Sequence, residues 1–222
     1  MNKLRLIYNI LLKEYGEQGW WPLGGIYNTK NKLSNLDDKS KFEICLGAIL
    51  TQNTSWKNVE ISLNNLRKNN CLNINKLRDL SIEELAFLIK SSGYNNQKAK
   101  KVKEFIKFLD SGKEVSRDNL LSVWGIGNET VDSILLYAHK KPYFVVDAYT
   151  KRIFSRIGLC KENVDYIELQ KLFHDNLEEN SEFFNEYHAL LVEHAKRYCK
   201  KKPSCNGCPL KNECKYYKEN SS

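Results

Sequence analysis

Apolar residues recur along this chain at helical spacing. Leu4, Ile7, Tyr8, Leu11 and Leu12 share one face, which fades at Gly16. Phe42, Cys45, Leu46, Ile49 and Leu50 form a second stripe, and Val59, Leu63 and Leu66 a third, with Thr54 or Ser55 as the cap between them. Ser81-Ile82-Glu83-Glu84 has the form of a capping box. It opens a helix carrying Leu85, Leu88 and Ile89, which Gly93 stops. Gln97 to Leu109 places Ala99, Val102, Ile106 and Leu109 inside. Lys98, Lys100, Lys101, Lys103 and Lys107 are expected on its solvated face. Two more helices are predicted at Ile167 to Leu177 and at Phe183 to Tyr198. Between the stripes lie an aromatic loop, Gly19-Trp20-Trp21-Pro22-Leu23-Gly24-Gly25, and a polar link from Asn28 to Lys41. The expected class is all-α.

The stretch from Leu120 to Arg156 departs from this simple rhythm. Trp124-Gly125-Ile126-Gly127-Asn128 puts two glycines around one apolar residue, a bend whose backbone can approach another backbone closely. Val131, Ile134, Leu135 and Ala138 then resume helical spacing. Asn128 is expected to cap that helix, whose free N–H groups suit a phosphate. The pattern reads as helix, hairpin, helix. Asp147 follows the apolar pair Val145-Val146 and stands just before another helix, which Gly158 ends. A carboxylate at a helix start beside a phosphate-binding hairpin is the first place to look for chemistry.

Composition narrows the class. The chain of 222 residues is 41% hydrophobic, enough for a real core in one large domain or two lobes. A formal charge of +8 and pI of 9.0 favour an anionic partner. No apolar run nears the roughly 20 residues of a membrane span, and the basic, apolar start lacks a small-residue cleavage site. A soluble intracellular protein is expected, with cysteines reduced or metal-bound.

The tail sharpens that expectation. Cys199, Cys205, Cys208 and Cys214 stand as C-x5-C-x2-C-x5-C within sixteen residues. Four thiolates so close imply a metal: zinc suits a tetrahedral all-thiolate site, and [4Fe-4S] takes the same four ligands. Spacing alone leaves both open. Lys200, Lys201 and Lys202 would project from the stapled loop towards phosphate.

These pieces together resemble the endonuclease III-like superfamily of helix-hairpin-helix DNA glycosylases. The resemblance covers nearly the whole chain, through GAILTQNTSW near residue 50, the hairpin at 124–130, VVDAYTKR at 145–152 and the four terminal cysteines. It implies a six-helix barrel domain at 33–141 and a discontinuous iron-sulfur domain made of 1–32 and 142–222. It also shifts the metal from zinc to [4Fe-4S], although five residues separate the first two cysteines here where six are usual. The implied partner is double-stranded DNA, bound by a monomer with the damaged nucleotide flipped out, in the cytoplasm and associated with the nucleoid. Gln52 matches the side chain that fills the duplex gap. Gly125, Gly127, Asn128, Thr130, Lys151, Arg152 and the three loop lysines are the implied DNA contacts.

One departure sets the subclass. Bifunctional members carry a nucleophilic lysine two residues after the second hairpin glycine, where this chain has Glu129. A carboxylate forms no imine. The resemblance thus implies a monofunctional glycosylase in which Asp147 stabilises the cationic sugar, with Glu129 in the pocket or tuning Asp147. Trp20, Trp21, Pro22 and Phe42 resemble the pocket of the 3-methyladenine DNA glycosylase III group, which implies an N-alkylated purine substrate. The alternatives are a bifunctional glycosylase and AP lyase acting on oxidised or mismatched bases, and a non-catalytic reader of damaged DNA.

Overall fold

The computed structural model describes residues 2–27 and 36–220. Among them, regular structure is helical, and the one extended pairing is an isolated bridge between Leu23 and Ile26. The expected all-α class holds. No helix among them is long and apolar enough to cross a membrane. Most of the polar link lies outside the described residues. The chain divides into two compact units, one of Met1–Trp20, Tyr27–Lys32 and Pro142–Ser222, the other of Trp21–Ile26 and Leu33–Lys141.

The second unit is built around α2 (Asp38–Leu50). Asp37 caps it by accepting from Ser40 N, so the helix starts inside the stretch expected to be a link. Every residue from Phe42 to Leu50 is buried, as for a helix surrounded by others. Around it lie α3 (Trp56–Lys68), α4 (Ile74–Asp79), α5 (Ile82–Leu88), α6 (Asn95–Asp110), α7 (Arg117–Leu121) and α8 (Asn128–Ser133). The last runs directly into a π-turn, Ile134–Ala138, buried throughout. The capping box at Ser81 and Glu84 forms with both of its hydrogen bonds. Ser55 occupies the cap position of α3 without a side-chain cap bond.

Three of the lysines expected in solvent are engaged instead. Lys98 is 2% exposed and donates to the Leu50 carbonyl at 2.8 Å and the Ser92 carbonyl at 2.6 Å. The end of α2 and the turn after α5 leave those carbonyls without helical partners, and the ammonium satisfies both. Lys103 similarly donates to the carbonyls of Leu77, Arg78 and Leu80 at the end of α4. Lys101 reaches Gln52, described below.

The first unit joins the two ends of the described chain. Its helices are α1 (Lys3–Tyr15), α9 (Ala148–Ile157), α10 (Tyr166–Asn176), α11 (Ser181–Arg197) and α12 (Lys215–Asn220). Asn2 caps α1, and Gly16, at φ +69°, closes it. Leu4, Ile7 and Leu11 are its buried stripe, and the helix lies against α11. Tyr187 on α11 donates to the Leu4 carbonyl at 2.7 Å, and Arg5 sits 4.1 Å from the centroid of the Phe183 ring. Phe144, Phe154, Phe173, Phe184 and Tyr187 form the aromatic core of this unit. Gly158 ends α9 in the left-handed region, at φ +87°.

Candidate functional site

Asp147 is the N-cap of α9. Its Oδ1 accepts from the Thr150 amide at 2.7 Å and the Thr150 hydroxyl at 2.9 Å. Its Oδ2 lies 3.5 Å from His188 Nε2 on α11. Both side chains are largely covered, at 13% and 11% exposure. Burial pushes the Asp147 carboxyl up, but the nearby His188 imidazole, with the two Thr150 donors, outweighs it. The pKa comes out lowered from 3.8. The carboxylate is therefore ionised, fixed on one oxygen and bordered by an imidazole on the other. No sequence motif singles out His188, although its spacing from Phe184 and Leu191 puts it on the apolar face of α11.

The hairpin belongs to the other unit. Gly125 is exposed at φ +79°, and a Cβ there would lie 2.7 Å from Lys101 Cγ. Gly127 is exposed at φ −103° with open space around it. The cap of α8 is Gly127, not Asn128 as expected. Asn128 is drawn away because its Oδ1 accepts from Arg117 Nη2 at 2.9 Å. The same guanidinium takes fully buried Asp132 with Nε at 2.8 Å and Nη2 at 3.2 Å, a two-point pair that locks α7 to α8 around the bend. Gln52, after α2, donates to the Thr130 hydroxyl at 2.9 Å and the Gly125 carbonyl at 3.2 Å, and accepts from Lys101. Glu129 is exposed in the first turn of α8.

The aromatic candidates separate. Trp21 is 4% exposed, with its ring 5.0 Å from Trp56 and 5.1 Å from Tyr137 between centroids. It rests on Gly47, where a Cβ would meet Trp21 Cζ2 at 2.7 Å. Pro22 and Phe42 are also buried. Trp20 is half-buried, its ring 5.8 Å from that of Tyr27.

Cys199, Cys205, Cys208 and Cys214 line one cavity of about 30 Å³, together with Arg156, His194 and Tyr198. Among the described residues, however, no three Cys, His, Asp or Glu side chains are grouped closely enough to hold a metal ion. The loop is braced on α9. Arg152 Nε donates to the Cys199 carbonyl at 2.7 Å, and Arg156 donates to the carbonyls of Lys200 at 2.6 Å and Lys201 at 2.7 Å. Lys200, Lys201 and Lys202 are left exposed. Lys151, by contrast, donates to the Val164 carbonyl at 2.9 Å.

The described chain thus presents a glycine hairpin between two helices, a carboxylate capping a later helix and a cysteine-lined tail. The model of the HhH-GPD superfamily of base excision DNA repair proteins matches residues 46–179, and the chain belongs to that superfamily. It is 43% identical over 221 residues to a protein of Methanocaldococcus jannaschii provisionally described as a DNA repair glycosylase, covering 94% of each. Over 191 residues it is 29% identical to endonuclease III of Sulfolobus acidocaldarius, covering 82% of this chain and 85% of that one. Among solved structures, the H. pylori 3-methyladenine DNA glycosylase (MagIII) bound to 1,N6-ethenoadenine is similar, with a TM-score of 0.71 at 30% identity. That match covers 89% of this chain and 98% of that one. An endonuclease III–DNA complex shares the fold with a TM-score of 0.80 at 20% identity, over 99% of this chain and 97% of that one.

Proposed function

We propose that this base excision repair protein is a monofunctional DNA glycosylase that hydrolyses the N-glycosidic bond of a damaged, N-alkylated purine such as 3-methyladenine. The observation that carries the reading is the ionised Asp147 carboxylate at the start of α9, in a chain with Glu129 where bifunctional relatives have lysine. Alkylation leaves the purine cationic and its glycosidic bond weak. The bonding electron pair leaves with the base, which departs neutral, and the positive charge passes to the sugar. Asp147 stabilises that charge and takes a proton from the water whose oxygen bonds to C1′. The similarity to MagIII supports an alkylated purine.

The partner is double-stranded DNA with the damaged nucleotide turned out of the stack, bound by one copy of the chain. In this reading 33–141 is the barrel domain, and 1–32 with 142–222 the cluster domain. Gly125, Gly127, Asn128 and Thr130 of the hairpin unit contact backbone phosphate, Lys151, Arg152, Lys200, Lys201 and Lys202 of the other unit supply further phosphate contacts, and Gln52 fills the vacated stack. Cys199, Cys205, Cys208 and Cys214 would hold the [4Fe-4S] cluster. Zinc needs all four thiolates at about 2.3 Å from one point, whereas each thiolate of a four-iron cluster meets a different iron. The similarity to endonuclease III supports the cluster over zinc. When bound, it would staple the tail rather than remove the base.

The test is base release from duplexes bearing single defined lesions, with borohydride present in a parallel reaction. Free 3-methyladenine, an intact abasic site and no trapped protein are expected. Trapped protein with strand cleavage would overturn the monofunctional assignment. Binding to every lesion without base release would leave a non-catalytic reader.

A further inference from the structure

The two oxygens of Asp147 have different surroundings. Oδ1 accepts two hydrogen bonds from Thr150, whose side chain is fully buried, and is committed to holding the start of α9. Oδ2 faces His188 Nε2 at 3.5 Å. His188 is itself 9% exposed and sits on α11, which packs along α9. An imidazole lone pair turned towards a covered carboxylate at that distance would be repulsive. A proton on Nε2, in the neutral or the charged ring, would relieve that repulsion, and a shift of a few tenths of an ångström would close the 3.5 Å approach to a hydrogen bond. The groups acting on this carboxyl are thus His188 on α11 and Thr150 on its own helix.

We propose that His188 is the positioning residue for Asp147: its Nε2–H holds one lone pair of Oδ2, turns the other outward, and keeps the buried carboxylate charged. The inference rests on the reading of Asp147 as the group that faces the sugar. It extends that reading by giving the carboxylate a fixed orientation from outside its own helix. Without the imidazole, Oδ2 would lose a donor in a covered site, and protonation would become the easier way to satisfy it.

The test compares His188→Leu with His188→Gln, whose amide nitrogen restores a donor without a titrating ring. In the full-length protein, the Asp147 carboxyl is titrated by carbon NMR, with its signal assigned by its absence in Asp147→Asn. Single-turnover release of 3-methyladenine and affinity for undamaged duplex are measured alongside. His188→Leu is expected to raise the Asp147 titration midpoint and slow base release about tenfold or more, as for loss of a hydrogen bond to a charged group. Affinity for undamaged duplex stays unchanged, and His188→Gln recovers most of the rate. If His188→Leu does not fold, His188→Gln compared with His188→Asn, whose shorter amide falls short of Oδ2, makes the same distinction. An unmoved titration midpoint, or Gln no better than the variant lacking the donor, would overturn the proposal. If Asp147→Asn abolishes release while His188→Leu is silent, only the role of His188 fails. If Asp147→Asn retains release, the catalytic reading fails, and the titration still decides whether His188 controls the carboxyl.

Discussion

Lys101 donates to Gln52 Oε1 while Gln52 Nε2 donates to the Thr130 hydroxyl and the Gly125 carbonyl. The side chain proposed to enter DNA is therefore already tied to the hairpin proposed to grip it. Entry would exchange three hydrogen bonds made within the protein for contacts with the duplex. Lys101→Met is expected to loosen the Gln52 amide, seen as narrower, faster-exchanging side-chain NH₂ signals, with stability reduced by no more than about 1 kcal/mol. Unchanged signals would show that Thr130 and Gly125 suffice to hold it.

The two hairpin glycines should respond differently to alanine. At Gly125 both the positive φ and the approach of Lys101 oppose a Cβ; the lysine can shift, but the backbone cannot. Gly125→Ala is expected to cost about 1–3 kcal/mol in urea unfolding. Gly127→Ala meets open space at an ordinary φ and should stay within about 0.5 kcal/mol of the native protein. Weaker duplex binding by that well-folded variant would then report on backbone approach to phosphate.

Lys98 makes stability depend on alkaline pH. Burial lowers its pKa from 10.5 to about 8. Between those values the unfolded chain binds the proton that the folded protein has released, so stability rises with pH through that window. Lys98→Met should abolish this rise in denaturation curves taken across the window. At neutral pH it should also cost about 2–3 kcal/mol by leaving the Leu50 and Ser92 carbonyls unmatched.

The cap made by Asp147 adds a rise of the same sign at acid pH. Its folded pKa lies below 3.8, so its contribution is complete above that value and is lost as pH falls through the folded pKa. Asp147→Ala is expected to cost about 1 kcal/mol at pH 7, with Asp147→Asn nearer to native because asparagine caps well. Thermal melts at neutral and acid pH separate this structural cost from any loss of base release.

For the tail, anaerobically purified protein is expected to carry about four irons per chain. Cys199→Ser should lose the iron and soluble protein together, because ligand binding would be part of folding the loop. One zinc and no iron in elemental analysis would return the site to the tetrahedral reading.

The long helices were legible because each combines an apolar stripe with a readable boundary: Gly16 after α1, the Ser81 and Glu84 box before α5, Gly158 after α9. Helices α4, α7 and α12 have only five or six residues, too few for a period to show. The site residues that escaped are polar ones whose partners lie far away in sequence. Lys98 looked solvated because a lysine among lysines marks a surface, yet it shares a face with Val102 and Phe105 and ends on two stranded carbonyls. Asn128 had the chemistry of a cap, but Arg117, eleven residues earlier, competes for its oxygen. Propensity registers what a side chain can do with its neighbours; it is silent about a guanidinium arriving from another helix.

The pairing of α1 with α11 also orders events during synthesis. The ribosome makes α1 before any of Leu33–Lys141, and α11 only after all of it. Throughout that interval Leu4, Ile7 and Leu11 have not yet met the helix that covers them, whereas Leu33–Lys141 emerges without a break and, with Trp21–Ile26 already made, can condense first. A nascent chain from which Lys141 has emerged but α11 has not would thus display a finished inner unit and a leading helix with its apolar stripe still uncovered.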